Sequence, residues 1–133
     1  MRARRYLALA SFLALTVALP ATAYAADKTG NEGRLKSVEV NSPSADTYLQ
    51  YHGRLFVTAK KSTTEYRWGG TSCGSRTLSP EMVDLLVDTV RNHDNLKIAP
   101  RYQDGQGSSK CLVGFTIRHK NGSDKSSSKP KPS

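Results

Sequence analysis

Hydrophobic and polar residues alternate along much of the chain, which is the pattern of half-buried β-strands. The segment GRLKSVEV at residues 33–40 has this alternation, and so do residues 54–60. His52–Gly53, just before the second segment, predicts either a tight hairpin turn or a bulge in one long strand. The sequence TTEYRW at residues 63–68 places its tyrosine and tryptophan on one face of a further strand. The first half of the domain is therefore predicted to be a β-meander.

A helical period replaces the alternation at residues 79–91. Ser79 is a favourable N-cap residue, and Pro80 suits the first helical position. The apolar positions 83, 86, 87 and 90 are spaced i, i+3, i+4 and i+7, which predicts one buried stripe on a helix. The sequences LKIAPRY at residues 96–102 and KCLVGFTIRH at residues 110–119 then return to a β pattern.

This order of elements predicts a mainly β protein with one helix. A small OB-like β-barrel, built from a β-meander, a helix and two further strands, fits the order. The helix would then cover one end of the barrel. The alternative is an α+β sandwich in which the helix lies across an antiparallel sheet.

The two ends of the chain are predicted to lie outside this domain. Residues 1–25 carry three arginines, an apolar run and a final A-x-A, which is the layout of a signal peptide. The apolar run, residues 6–19, is shorter than the roughly 20 residues that cross a bilayer, so no transmembrane segment is expected. Residues 26–32 are predicted to be a flexible segment, residues 33–120 a single β-barrel domain, and residues 121–133 a disordered basic tail.

The net charge of the 133-residue chain is +9, from 20 basic and 11 acidic residues. Loss of the signal peptide removes three arginines and leaves +6, of which the tail contributes +2. A mild excess of this kind, on a protein expected to be secreted or periplasmic, is not the focused basic stripe of a nucleic-acid-binding protein. We therefore expect no nucleic-acid partner. Anionic envelope polymers and lipid head groups suit the charge as well.

Two cysteines, Cys73 and Cys111, lie in the part of the chain that is predicted to be exported. In an oxidising compartment such a pair forms a disulfide, which stabilises the fold by about 4 kcal/mol on the loop-entropy model. A nucleophilic Cys73 served by a histidine is the catalytic alternative. The cysteines and histidines match no zinc spacing, and the glycine pairs match no phosphate loop, so no metal or cofactor is expected.

Aromatic and basic residues are interleaved in the predicted meander. Aromatic faces beside basic groups stack on sugar rings or bases and pair with anionic groups. The alternative is that the same rings pack in the core. The residues that we predict to bind a ligand are Tyr48, Tyr51, Arg54, Tyr66, Arg67 and Trp68.

Candidate catalytic groups are sparse. His52, His93 and His119 have no partner at a catalytic spacing, and the serines near Cys73 form no nucleophile motif. A nuclease requires several carboxylates that converge around a cation. The acidic residues open to that role are Asp46, Glu65 and Asp104.

Several segments in order carry a family resemblance: GRLKSVEV, Cys73 ahead of the helix SPEMVDLLVDTV, the strand LKIAPRY and the last strand KCLVGFTI. Together with the signal peptide, this order resembles the B subunits of bacterial AB-type toxins and small exported OB-fold-like bacterial proteins. Toxin B subunits form pentamers that bind cell-surface glycans, so the resemblance implies a glycan partner and a homo-oligomer. It carries no sugar-contacting residue over to a position in this chain.

The sequence thus predicts a non-enzymatic exported binding domain that recognises a glycan or another anionic cell-surface component, in the manner of a toxin B subunit. Two alternatives are kept. One is a small secreted hydrolase or nuclease. The other is a protein-binding inhibitor module that offers an edge strand to its target.

Overall fold

The computed structural model describes residues 25–121, which form a six-stranded mixed β-sheet with one main helix. The strands are β1 (Lys28–Thr29), β2 (Arg34–Val40), β3 (Gly53–Ala59), β4 (Ser62–Trp68), β5 (Leu96–Asp104) and β6 (Lys110–His119). The helices are α1 (Gly70–Cys73) and α2 (Pro80–Arg91), and a 3-10 turn spans Asp46–Leu49. The predicted mainly β class with one principal helix is confirmed.

The strand order in the sheet is β1-β5-β6-β4-β3-β2. Neighbouring strands are antiparallel except β4 and β6, which are parallel and pair only at Arg67 and Cys111. The sheet is open, with β1 and β2 at its edges, so the predicted barrel is not confirmed. One isolated antiparallel bridge joins Gly33 to Ile98, where the two backbones exchange hydrogen bonds of 3.0 and 2.8 Å.

Alternating side chains of the strands build the core on one face of the sheet. Burying an aliphatic or aromatic side chain of this size contributes about 1.5–3 kcal/mol. Leu86 of α2 completes the cluster from the opposite side. The buried members are Leu35, Leu55, Val57, Tyr66, Trp68, Leu86, Ile98 and Leu112.

Helix α2 begins and ends as its sequence predicts. The Ser79 hydroxyl accepts a hydrogen bond from the Met82 N–H at 3.3 Å, and Pro80 opens the first turn. The pKa of Glu81 is lowered by its own backbone N–H, with a smaller contribution from the Ser79 hydroxyl. Such a carboxylate also complements the positive end of the helix. The helix therefore presents Leu86 to the core from a capped first turn.

The segment before β3 differs from the prediction of a hairpin turn or a long bulged strand. Residues 46–49 form a 3-10 turn, and the N–H groups of Gln50 and Tyr51 both donate to the Thr47 carbonyl, at 3.0 and 3.1 Å. These local bonds end the turn before β3 starts at Gly53. The connection is therefore a compact loop, in which Leu49 is exposed and Tyr48 is half-buried.

The predicted ends of the domain fall partly outside the described chain. The predicted signal peptide, apart from Ala25, and the predicted tail, apart from Asn121, lie outside the described residues. The predicted flexible segment, residues 26–32, contains β1, which pairs with Tyr102 and Arg101 of β5. Between residues 25 and 121, no helix is long and apolar enough to cross a membrane.

The disulfide between Cys73 and Cys111 is present, with a Cα–Cα distance of 5.5 Å and both residues fully buried. The predicted disulfide is confirmed, and it ties the short helix α1 to the start of β6. Since the sulfur of Cys73 is already bonded, the alternative of a nucleophilic thiol at this position is wrong.

Candidate functional site

The alternation of β3 and β4 sends the predicted binding residues to opposite faces of the sheet. Tyr66 and Trp68 are only 2% and 3% exposed and belong to the core. Trp68 lies directly over Gly53, where any β-carbon would collide with the indole ring. A buried ring has no face free for a ligand, so the structure removes Tyr66 and Trp68 from the predicted binding surface.

The outer face holds the other members that come together. The guanidinium groups of Arg54 and Arg67 lie 5.2 and 4.8 Å from the centroid of the Tyr51 ring, within cation–π range. The Tyr51 hydroxyl donates to Glu39 at 3.2 Å. Glu39, Tyr51, Arg54, Glu65 and Arg67 are called the outer network below.

Strand register explains why this network needs two glutamates. Arg54 and Arg67 face each other directly across β3 and β4, and like charges in such a pair repel. Glu39 stands opposite Arg54 on β2 and accepts a hydrogen bond from its Nε at 2.9 Å, and Glu39 Oε2 also lies 2.8 Å from Arg54 Nη2. Glu65 accepts from Arg67 Nε and lies 3.8 Å from Arg54 Nη1. The network is therefore neutral overall and holds both arginines in place.

Titration behaviour within the network follows from burial and pairing. Burial raises the pKa of Tyr51, with Arg54 opposing and Glu39 adding to the shift. The hydrogen bond to Glu39 raises the pKa of Arg54. Tyr51 therefore stays protonated at neutral pH and donates to the Glu39 carboxylate, which keeps the network in one arrangement.

A polar groove of about 450 Å³ borders this network. It opens between β4 and the loop before β6, because those two strands pair at one position only. Two cations, one carboxylate and four hydroxyls line it. The lining residues, called the polar groove below, are Thr63, Thr64, Glu65, Arg67, Ser108, Ser109 and Lys110.

The far wall of the polar groove is fixed by contacts from α1. The Gln106 N–H donates to the Ser72 carbonyl at 2.9 Å, and Arg76 Nη1 donates to the Asp104 carbonyl at 2.7 Å. Gly105 packs against Cys111 Sγ and the Ser72 carbonyl so closely that a β-carbon there would collide with both. The disulfide and these bonds therefore hold the loop that carries Ser108, Ser109 and Lys110.

Tyr48 lies apart from the outer network. Its ring stacks on His52, with centroids 4.1 Å apart and planes 13° from parallel. The two rings border a pocket of about 340 Å³ whose other walls include Val40, Leu78 and the covered edge of Trp68. The six predicted residues thus fall into three places: the outer network, this pocket and the core.

The candidate catalytic carboxylates do not converge in the part of the chain that the structure describes. Asp46 lies in the 3-10 turn, Glu65 is engaged by the arginines, and Asp104 pairs with Lys28. Among residues 25–121, no group of three or more histidine, cysteine or acidic side chains is arranged to hold a metal ion. The carboxylates that a nuclease requires therefore remain on separate elements.

Sequence reasoning missed Glu39 and the groove residues Ser108, Ser109 and Lys110. Glu39 carried one usable signal, since it alternates with Val38 and Val40 and so falls on the outer face of β2. The groove residues carried none, because their position depends on the parallel pairing of β4 with β6.

Comparison of the chain with protein-family models, with curated protein sequences and with solved structures finds no match.

Proposed function

We propose that this protein is a non-enzymatic exported binding domain that recognises a glycan or another anionic cell-surface component in the polar groove. The observation that carries the proposal is the groove lining itself, in which Arg67 and Lys110 accompany Glu65 and four hydroxyls. Tyr51 and Arg54 then support Arg67 and do not contact the ligand directly.

The chemistry of this lining suits a hydroxyl-rich ligand that carries a negative group. A guanidinium binds carboxylate or phosphate with two parallel hydrogen bonds. Glu65 and the serine and threonine hydroxyls are acceptors and donors for sugar hydroxyls. Since Glu39 and Glu65 already hold the two arginines, a ligand meets donors whose ordering cost has been met on folding.

A partly open OB-like barrel is the finer fold that goes with this proposal. β1 and β2 are consecutive in the chain, and they pair with β5 and β3, respectively. The bridge between Gly33 and Ile98 lies between these two pairings. OB-type barrels bind oligosaccharides and oligonucleotides on the face of their second and third strands, to which β3 and β4 would correspond. The disulfide is consistent with export to an oxidising compartment.

A glycan array tests the proposed function directly. We expect the protein to bind a subset of acidic glycans, and Arg67→Ala to weaken that binding at least tenfold because the anchored donor is lost. Arg91→Ala is the matched control, since Arg91 is an exposed helix residue whose ion-pair partner among residues 25–121 is Asp88. Absence of binding to every glycan, or equal losses in the two variants, would contradict the proposal.

Protein binding is a second candidate, and the edge of β6 favours it. Beyond Cys111, β6 pairs with β5 on one side and with no second strand among residues 25–121. Phe115 and Ile117 line an apolar groove there together with Leu85, which is 49% exposed. An unpaired edge beside apolar side chains is suited to strand addition by another chain.

The same edge is the place to test the predicted homo-oligomer. The molar mass in solution, measured by light scattering across a concentration series, should exceed that of one chain. Leu85→Lys should lower it, while Lys36→Glu on the distant edge strand should not. A molar mass equal to that of one chain at every concentration would contradict the predicted homo-oligomer.

A further inference from the structure

A second cleft, separate from the polar groove, lies where the tip of the β3–β4 hairpin approaches the connection between α2 and β5. Its volume is about 410 Å³. It shares no residue with the polar groove. The side chains used below are those of Arg34, Lys60, His93, Asp94, Lys97 and Lys120, and the cleft is called the lysine cleft.

The lysine cleft contains more positive charge than its own carboxylates neutralise. Arg34 Nη2 and His93 Nε2 each lie 3.2 Å from Asp94 Oδ1, so this carboxylate is occupied by those two groups. The second carboxylate of the lining, Glu32, pairs with Arg118 at 3.3 Å. Among residues 25–121, the ammonium groups of the three lysines have no carboxylate partner within ion-pair distance.

Backbone contacts bring the three lysines together from three parts of the chain. Lys60 lies in the tight β3–β4 turn with a φ of 55°, a conformation that glycine or asparagine adopts more readily. Lys97 follows the start of β5, next to the bridge between Gly33 and Ile98. The Lys120 N–H donates to the Asn95 carbonyl at 2.9 Å. The fold therefore places all three lysines in the lining of one cleft, where their like charges repel one another.

We propose that the lysine cleft binds a phosphate-bearing ligand. A phosphate carries up to two negative charges on one compact group, which is the charge that several converging ammonium groups neutralise best. Lysine binds phosphate as a point charge and needs no planar, bidentate geometry. A carboxylate, with a single charge, would leave most of the repulsion between the lysines in place.

Titration with inorganic pyrophosphate at constant ionic strength, followed by amide NMR shifts, tests the proposal. The shifts should concentrate at residues 58–60, 95–98 and 120. Lys60→Gln, Lys97→Gln and Lys120→Gln should each weaken binding about fivefold, the effect of one basic residue near an anionic group. Lys61→Gln is the matched control, because Lys61 neighbours Lys60 in the same turn and does not line the cleft. Its affinity should change less than twofold.

Three outcomes would overturn the phosphate site proposed in the lysine cleft. One is equal weakening by Lys60→Gln and Lys61→Gln, which would mean that net charge alone attracts the anion. The second is a loss produced only by the triple variant Lys125→Gln, Lys129→Gln and Lys131→Gln, which would assign binding to the C-terminal sequence. The third is the absence of any shift at pyrophosphate concentrations in the millimolar range.

Vesicles distinguish the source of the phosphate. Phosphatidylcholine vesicles with and without phosphatidic acid, whose head group is a phosphate monoester, serve as the probe, and pyrophosphate is the competitor. Binding that needs phosphatidic acid, weakens in Lys97→Gln and is displaced by pyrophosphate supports a lipid head group. Binding of pyrophosphate without vesicle binding supports a soluble or polymer-borne phosphate. Arg67→Ala should leave both results unchanged, so failure here is distinguishable from failure of glycan binding in the polar groove.

Discussion

The inner and outer faces of β3 and β4 are made of alternating residues from the same two strands, and they differ in almost every physical respect. The inner residues Leu55, Val57 and Trp68 are sealed in the core, with at most 3% of their surface exposed. The outer residues Arg54 and Arg67 keep more than a quarter of their side-chain surface exposed and are held by carboxylates. Changes on the inner face should therefore alter stability, and changes on the outer face should alter binding.

The outer face also shows how an aromatic ring serves without being a ligand platform. The Tyr51 ring is buried and contacts both guanidinium groups, whereas its hydroxyl holds Glu39. It therefore acts as a support for the arginines, and in the proposed function the groups that recognise the ligand are those that line the polar groove. A cluster of aromatic and basic residues in the sequence does not show which of them would contact a ligand and which would support the others.

Trp68→Ala should have the largest effect on the free energy of unfolding. Removal of a buried indole leaves a cavity beside Gly53 and Tyr66, and such truncations cost roughly 3–5 kcal/mol. For a small domain this is a large share of the total stability. Chemical denaturation measures the loss.

The matched control is Leu49→Ala, because Leu49 is a large apolar residue that is 76% exposed. Its effect should stay within about 0.5 kcal/mol. If Trp68→Ala were as mild as Leu49→Ala and abolished glycan binding instead, the division between the two faces would be wrong.

Replacement of both cysteines by serine should affect both faces at once. The loop-entropy model gives about 4 kcal/mol for closing the span between Cys73 and Cys111, and removal of such a bridge from a small secreted domain costs about 2–5 kcal/mol. The same bridge anchors the start of β6, next to Lys110 in the polar groove. Binding should therefore weaken even under conditions where the variant is fully folded.

Stability and glycan affinity, measured side by side, separate these two effects. The matched comparison is Ser72→Ala, which leaves the Ser72 carbonyl and its bond to Gln106 in place. Unchanged affinity in a folded double-serine variant would show that the loop keeps its position without the disulfide.

The sequence predicts the strands and the helix of this fold better than it predicts the contacts between them. Periodicity located β2, β4 and α2, and the cap formed by Ser79 follows from local chemistry. The predicted export to an oxidising compartment suggested the pairing of Cys73 with Cys111, which is present. These features depend on residues that are close in the chain or on the surrounding solvent, so they can be predicted from a single sequence.

The candidate site depends instead on strand register. Glu39 meets Arg54 because β2 pairs with β3 at that position, and Lys110 lines the same groove as Arg67 because β6 pairs with β4 at Cys111. No local pattern encodes either arrangement. The two tyrosines depend on the fold in the same way. Tyr51 and Tyr66 are both buried, but the fold places Tyr51 against the two arginines and Tyr66 in the hydrophobic core.

A double-mutant cycle on Glu39 and Arg54 should give a modest coupling. The pair has two close contacts but is 28–39% exposed, so solvent screening limits the coupling to about 0.5–1 kcal/mol. Glu39→Gln, Arg54→Gln and the double variant are compared by denaturation. Arg54 is the cross-strand neighbour of Arg67, and it is no longer held by Glu39 in these variants. The coupling therefore measures how strongly Glu39 orders this part of the outer network.

The control cycle uses Asp88 and Arg91, an i,i+3 pair on α2 that is at least 66% exposed. Its coupling should lie near zero. A coupling at Glu39 and Arg54 no larger than this would mean that the outer network does not order the arginines.

The smallest expected effect concerns β1. In the strand order of the sheet, β1 is the edge strand that lies farthest from β3 and β4. Lys28 Nζ lies 2.5 Å from Asp104 Oδ2, and this hydrogen bond lowers the pKa of Asp104 below 3.8. A lowered pKa means that the contribution to stability is complete above the unfolded value and is lost as the pH falls through the lowered folded value. The Gly30 N–H, which donates to the Pro100 carbonyl at 2.8 Å, should therefore lose hydrogen-exchange protection below about pH 4, after correction for the intrinsic exchange rate. Asp104→Asn should remove this pH dependence and lower protection at neutral pH. Persistence of the same acid transition in Asp104→Asn would show that the Lys28–Asp104 pair does not control the pH dependence of β1.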